Sequence, residues 1–269
     1  MAARNSLERV VALLNVFSED HLEWTPEEMM AELGYSRPTL YRYLKTLKEA
    51  GILTSMPSGG FTLGPRVVEM DFLMRKSDPL VRYAQPHLDS FAADLPCTAL
   101  VVRWYGNKLL CVASECSTAE VETSYPRGRP MPLARGAISR AIIASLPRRK
   151  LVPIIEANLA DLREAGLGAD RDAVLETMRQ VRRAGYAIAH GEVTPGVFGI
   201  AAPIFHGGSE PVAAFCVTIP EQFAAERDLA AIGTDIAATA AEISSQLAQD
   251  RTAQDRAAPG GAQPKPDQN

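Results

Sequence analysis

The sequence predicts an α+β protein in two parts: a small N-terminal domain of helices with one short hairpin, and a larger mixed domain joined to it by an apolar helix. Three observations carry this reading. Helical periodicity recurs three times before residue 51 and is followed by two short β-rich pieces. Residues 65–76 have almost no polar face, and from Asp78 onward strand-like and helical segments alternate irregularly. At 269 residues the chain is long enough to bury two separate cores.

The first helix is expected over residues 6–18, with Ser6 as its cap and Leu7, Val10, Val11, Leu14 and Phe17 on one face. A second begins at Thr25-Pro26-Glu27-Glu28, which supplies a capping residue, a proline at the first helical position and a glutamate three residues after the cap; Gly34 stops it. Only Tyr35 separates Gly34 from Ser36, which opens a third helix running to about Ala50. Two short strands, residues 52–55 and 61–63, flank the turn-rich Met56-Pro57-Ser58-Gly59-Gly60. Helix, helix, tight turn, helix, hairpin is the order of a winged helix-turn-helix. The helix over 65–76, with Val67, Val68, Met70, Phe72, Leu73 and Met74, is a linker that demands cover from another chain or domain.

In the second part a helix over 78–94 precedes strands at 98–104, 109–114 and 119–125, with Gly106-Asn107 as the first turn. A loop over 127–135 leads to a helical stretch over 136–158 and another helix over 171–184. Strands follow near 186–190, 198–205 and 211–219, with His206-Gly207-Gly208-Ser209 as a hairpin turn, and an Ala-rich helix covers about 221–249. The domain boundaries are thus 1–64 (winged helix-turn-helix), 65–76 (linker), 77–250 (second domain) and 251–269, a Pro-, Gly- and Gln-rich tail expected to be disordered.

The third helix carries the chemistry. Leu40, Leu44 and Leu47 share one face, while Pro38, Tyr41, Arg42 and Lys45 lie roughly opposite, flanked by Arg37 and Lys48. No acidic residue occurs between Ser36 and Lys48, so this face holds a local positive field suited to a major groove lined with phosphates. A solvated basic face is the plainer reading of such a helix taken alone. The capped helix, short turn and Gly-rich hairpin around it favour double-stranded DNA, with Ser36, Arg37, Pro38, Thr39, Tyr41, Arg42, Lys45 and Lys48 as the contacting set. The formal net charge of −4 does not oppose this, because a basic face on one domain is enough to grip phosphates.

Several motifs in register resemble the IclR family of regulators. In the first domain these are Ser6-Leu7-Glu8-Arg9, Ser36-Arg37-Pro38-Thr39-Leu40-Tyr41-Arg42-Tyr43-Leu44 and Gly60-Phe61-Thr62-Leu63-Gly64-Pro65. In the second they are Pro86-His87-Leu88, Arg129-Pro130-Met131-Pro132-Leu133-Ala134, Arg183-Ala184-Gly185-Tyr186-Ala187 and Pro195-Gly196-Val197-Phe198-Gly199-Ile200-Ala201-Ala202-Pro203. The resemblance, spanning about residues 6–250, implies a C-terminal GAF-like α/β effector-binding domain whose small-molecule effector sits between the sheet and the 132–137 loop.

Backbone N–H groups at a helix start near Arg135, Gly136, Ala137 and Ile138 suit a carboxylate, with Arg135 or Arg129 adding charge-assisted bonds. The expected effector-binding set is Leu133, Ala134, Arg135, Gly136 and Ala137 at that loop and Leu100, Val102, Leu110, Met131, Ile188, Ala189, Gly199, Ala201, Cys216 and Thr218 on the sheet. Two departures stand out. Ser139-Arg140 replaces the family's usual Gly-Lys pair. Members that sense glyoxylate-like acids carry Asp, Cys and two Ser, where this chain has Ala189, Gly199, Cys216 and Thr218. A more apolar cavity follows, hence a small organic acid with an apolar body, an aromatic carboxylate being the first choice.

The expected protein is therefore a ligand-responsive DNA-binding regulator of a catabolic operon, activator or repressor, homodimeric or homotetrameric and cytoplasmic. The alternative is a metabolite-binding oligomerisation module or an enzyme that does not regulate DNA. No nucleophile elbow, zinc helix, Walker loop or dinucleotide turn is present, so no catalytic residue, cofactor or metal is expected. The cysteines at 97, 111, 116 and 216 lack metal-ligand spacing and are expected to be reduced. No apolar run approaches the roughly 20 residues of a membrane span.

Overall fold

In a computed structural model of the chain, residues 5–117 and 126–257 are described. They form two compact units, divided between Ser77 and Asp78.

The first unit contains helices α1 (Ser6–Leu14), α2 (Pro26–Leu33) and α3 (Arg37–Glu49), the hairpin β1 (Leu53–Ser55) and β2 (Phe61–Leu63), and helix α4 (Pro65–Ser77). Leu13, Met29, Leu40, Tyr43, Leu44, Leu47 and Leu53 make its core. Asn5, not Ser6, caps α1: its side chain accepts the Glu8 N–H while Glu8 reaches back to the Asn5 N–H. Ser6 is released to place its hydroxyl 3.2 Å from that of Tyr43. Thr25 and Glu28 form the expected capping box on α2, and Gly34 ends it in the left-handed conformation. The hairpin is braced from behind, since Trp24 and Phe61 exchange both backbone hydrogen bonds and Ser58 donates to the Glu23 carboxylate. Gly60 leaves room for that carboxylate; a Cβ there would overlap Glu23 Oε1. Along α4, Val68, Met70, Phe72, Leu73 and Met74 are all exposed in the single chain.

The second unit is built on a six-stranded antiparallel sheet of order β5-β4-β3-β8-β7-β6. Its strands are β3 (Thr98–Trp104), β4 (Leu109–Cys116), β5 (Pro130–Met131), β6 (Ala187–His190), β7 (Val197–Phe205) and β8 (Pro211–Pro220). The strand expected at 119–125 lies outside the described residues. Helices α5 (Pro79–Asp94) and α11 (Leu229–Ala257) cover one face, where Leu80, Ala84, Leu88, Ile236, Ala240 and Ile243 pack on Val101, Ile200, Phe215 and Val217. Helix α6 (Gly136–Ser145) covers the other, placing Ala137, Ala141 and Ile142 on Leu100, Val102, Cys111, Ala201 and Cys216. Behind α6, helices α7 (Arg148–Ala157), α8 (Leu159–Glu164) and α9 (Arg171–Ala184) add a further layer around Ile143, Leu146, Ile155, Leu175 and Met178.

The helix expected over 136–158 is two helices, because Pro147 pushes Leu146 into extended backbone with ψ 150°. The final helix is likewise split, with a short α10 (Glu221–Ala224) before α11. Helix α11 runs past residue 250 to Ala257, so residues 251–257, assigned above to a disordered tail, are helical; residues 258–269 lie outside the described set. Strand β6 is shorter than β7 and leaves the 202–205 edge of β7 unpaired on that side. Pro203 has no N–H to expose there, and the Phe205 N–H is taken by Ser244 Oγ of α11 at 2.9 Å.

Candidate functional site

On α3 the residues expected to meet DNA present one accessible surface: Ser36, Arg37, Pro38, Tyr41, Arg42, Lys45 and Lys48 are exposed and Thr39 is half-buried. Ser36 is the N-cap residue, although its hydroxyl donates to Thr39 Oγ1 at 3.0 Å rather than capping a backbone N–H. Arg37 lies over the Tyr41 ring and Arg42 over the Tyr43 ring, each 5.3 Å from the centroid, so both cations are steered by aromatic faces. Among the described residues Arg37, Arg42 and Lys48 form no ion pair. Lys45 sits 3.8 Å from Glu49 in an exposed pair of little strength. Tyr43, to which the sequence assigned no role, belongs to the buried face.

The second unit holds a cavity between the sheet and the start of α6. It is lined by Leu100, Leu109, Met131, Pro132, Arg135, Gly136, Ala137, Ile138, Ser139, Ala189, Glu192, Val193, Thr194, Val197, Gly199, Cys216 and Thr218. Its volume of about 80 Å³ available to the centres of water-sized atoms is several times what a single water needs, so it has room for a molecule of several heavy atoms.

The structure brings Leu100, Met131, Arg135, Gly136, Ala137, Ala189, Gly199, Cys216 and Thr218 together in this lining. Val102 and Ala201 share the same sheet face but are core residues packed against α6, and Leu133 and Ala134 are likewise packed inside. Leu110 and Ile188 are corrections. Successive strand residues alternate faces: Leu110 pairs with Arg103 and Ile188 with Ile200, which belongs to the core under α5 and α11. Leu109, the neighbour of Leu110, faces the cavity. A register shift between Val101 and Val102 inverts the parity that simple counting along β4 assumes.

At the α6 start one of the expected N–H groups and one of the expected arginines already have partners. The Gly136 N–H donates to Glu192 Oε2 at 3.0 Å, and Glu192 Oε1 accepts from the Arg140 guanidinium. Arg140 is only 8% exposed and also donates to the Ile188 carbonyl at 2.8 Å. Arg135 turns instead to α8, pairing with Glu164 at 2.6 Å and Asp161 at 3.5 Å. Ser139 donates to the Leu133 carbonyl and Thr218 to the Thr98 carbonyl, which leaves both hydroxyls as acceptors. Burial pushes the Cys216 thiol well above its ordinary range, so it lines the floor as a neutral group. Glu192, Val193 and Thr194 were missed because they come from the turn between β6 and β7. Nothing in the local sequence shows that this turn folds back over α6.

Comparison with known proteins finds both halves together elsewhere. The IclR helix-turn-helix domain matches residues 6–57, and the family described as bacterial transcriptional regulator IclR C-terminal matches residues 73–245. The probable HTH-type transcriptional regulator ArcR of Halobacterium salinarum is 29% identical, over 79% of this chain and 84% of its own length. The crystal structure of a transcriptional regulator from Rhodococcus sp. RHA1 superposes with a TM-score of 0.77 at 25% identity, covering 92% of this chain and all of the other. An IclR homologue from Microbacterium hydrocarbonoxydans, solved with 4-hydroxybenzoate, gives a TM-score of 0.74 at 20% identity, covering 90% of this chain and 99% of that one.

Proposed function

Because the chain belongs to the IclR family of bacterial transcriptional regulators, we propose that it is a DNA-binding regulator whose α3 enters the major groove and whose second unit senses a small organic acid with an apolar body. The observation that carries the sensing half is the cavity at the α6 start. Leu100, Leu109, Met131, Ile138 and Val197 give it an apolar wall, while its polar end is the α6 N-terminus, where Glu192 reaches from the cavity lining to the Gly136 N–H and to Arg140 behind it, a place built to hold a carboxylate.

A ring-bearing carboxylate fits that polarity, and the 4-hydroxybenzoate bound by the Microbacterium homologue supports the choice. The regulator acts as a homodimer or tetramer in the cytoplasm on a catabolic operon, with α4 supplying the contact between N-terminal units. Ligand binding matters only if it favours one arrangement of the DNA-binding units over another, and such couplings are typically about 1 to 3 kcal/mol.

The test is a fluorescence-anisotropy titration of labelled DNA from upstream of the neighbouring operon, repeated with benzoate-like and aliphatic acids. Specific binding that one acid class shifts by several-fold is expected. Absence of binding to that DNA removes the operon assignment, and binding indifferent to every acid removes the sensing.

A further inference from the structure

The hairpin turn over residues 191–196 lies at the cavity, and its own side chains Glu192, Val193 and Thr194 line it. Its ends are glycines in the left-handed region, Gly191 at φ 66° and Gly196 at φ 71°. It holds the α6 start at two points. Glu192 accepts the Gly136 N–H, and Val193 Cγ2 would stand 2.9 Å from a Cβ at Gly136, a position kept open only by glycine. The turn is largely exposed otherwise. Arg140, with its side chain 9% exposed, has its Nε without an acceptor among the described residues.

Resting on the acid-effector reading above, we propose that Glu192 is a built-in competitor for the effector's acid group, and that the 191–196 turn is a strap which must lift before a carboxylate can take its place at the α6 start. The reasons are charge and occupancy. Glu192 already supplies the carboxylate that the helix N-terminus and Arg140 attract, so a second carboxylate beside it meets a like charge and an N–H that is taken. Displacing Glu192 frees the Gly136 N–H and the guanidinium together, and the incoming acid replaces each bond that the strap gives up. The turn is short, lies between two glycines and is mostly in water, so the Glu192 bonds and the Val193 contact are what fastens it, and a ligand that replaces those bonds releases it. Effector binding is thereby converted into movement of a defined segment, and a neutral ligand of the same shape would not drive it.

The experiment uses the full-length protein, with benzoate and benzamide as probes, read by calorimetry and by hydrogen exchange at 191–196 and at the Gly136 amide. Benzoate is expected to raise exchange across the strap in the wild type, and E192Q is expected to bind benzoate roughly tenfold tighter with benzamide unchanged, since a charge-assisted competitor has become a neutral one. V193A retains every charge but loosens the strap, and should raise the preference for benzoate over benzamide as well. Benzoate that protects the strap, or that binds E192Q and V193A no better than wild type, overturns the proposal while leaving the acid effector standing. Benzoate bound by none of the three removes the aromatic-acid reading. The strap is then judged without ligand: faster exchange at 191–196 and Gly136 in E192Q supports it, and unchanged exchange overturns it.

Discussion

Glu192 and Arg140 form an ion pair inside the second unit, with side chains 15% and 9% exposed, tying the turn after β6 to the middle of α6. Two ions at that depth lose much of their hydration, and the pair holds only because each has a partner. Removing one partner strands the other. Glu192→Ala should therefore lower the stability of this domain by about 3 to 5 kcal/mol in urea unfolding, whereas the paired replacement Arg140→Met with Glu192→Leu strands no charge and should cost less, its remaining loss coming from the Gly136 N–H and the Ile188 carbonyl left without these partners. A Glu192→Ala protein unfolding at the wild-type denaturant midpoint would show that the pair is not buried as described.

Burial also fixes the state of the thiols. It pushes Cys97 up to about 12 and Cys111 up to about 11, and it raises Cys216 further, whereas Cys116 is exposed. A folded-state value raised above the unfolded one means that the neutral form is favoured by folding. The associated stability is thus complete below the ordinary thiol range and is lost as pH rises through it toward 11 and 12. At pH 8 one cysteine of the four should be alkylated by iodoacetamide in the native protein and all four in urea. Mass spectrometry finding two or more native adducts would contradict the buried positions.

Much of this architecture is legible in the chain because local rules and tertiary structure agree. Thr25-Pro26-Glu27-Glu28 and Gly34 delimit α2 as capping chemistry requires, and the alternation of Leu100 with Val102 and of Gly199 with Ala201 identifies the sheet face toward α6. The failures fall where an element depends on something distant. Ser6 looks like a cap until Asn5 takes the role and Tyr43 takes the Ser6 hydroxyl. Leu110 is misassigned because a bulge shifts β4 against β3. The Arg140–Glu192 pair joins residues 52 apart in sequence, and neither periodicity nor composition records such a pairing.

The open edge of β7 gives a third test. Ser244 Oγ accepts the Phe205 N–H and itself donates to the Ala240 carbonyl at 2.6 Å. Ser244→Ala leaves the Phe205 N–H without its partner and should cost about 1 to 3 kcal/mol. It also reopens an edge donor, so self-association at high concentration should rise. Ser244→Thr keeps the hydroxyl and should retain most of the stability. If alanine and threonine variants melt together, the hydroxyl is not what closes the edge.

Helix α4 presents Val68, Met70, Phe72, Leu73 and Met74 to solvent in the single chain, with Phe72 59% exposed. So many exposed apolar side chains on one helix are unusual on a monomer, which is the reason for placing the dimer contact here. Phe72→Glu should shift the protein toward monomer in multi-angle light scattering at micromolar concentration. DNA affinity should fall with it, because a dimer is needed to engage two half-sites together. A dimer that survives Phe72→Glu with unchanged affinity would move the interface to another surface.

Arg42 and Lys48 separate the two kinds of interaction expected of α3. Arg42 lies near the centre of the exposed face, steered by the Tyr43 ring, where a guanidinium reaches base edges; Lys48 lies a turn and a half further along, where an ammonium meets phosphate as a point charge. Arg42→Ala should therefore cost about 1 to 3 kcal/mol on the operator and little on unrelated DNA, narrowing the gap between them. Lys48→Ala should weaken both alike and reduce the slope of log affinity against log salt by about 0.9 for each phosphate no longer neutralised. Titrations of both variants on operator and scrambled duplex at several salt concentrations distinguish these outcomes. Equal losses on the two DNAs for Arg42→Ala would place it on the backbone, and an operator affinity that Arg42→Ala leaves unchanged would mean that α3 is not the helix that reads the sequence.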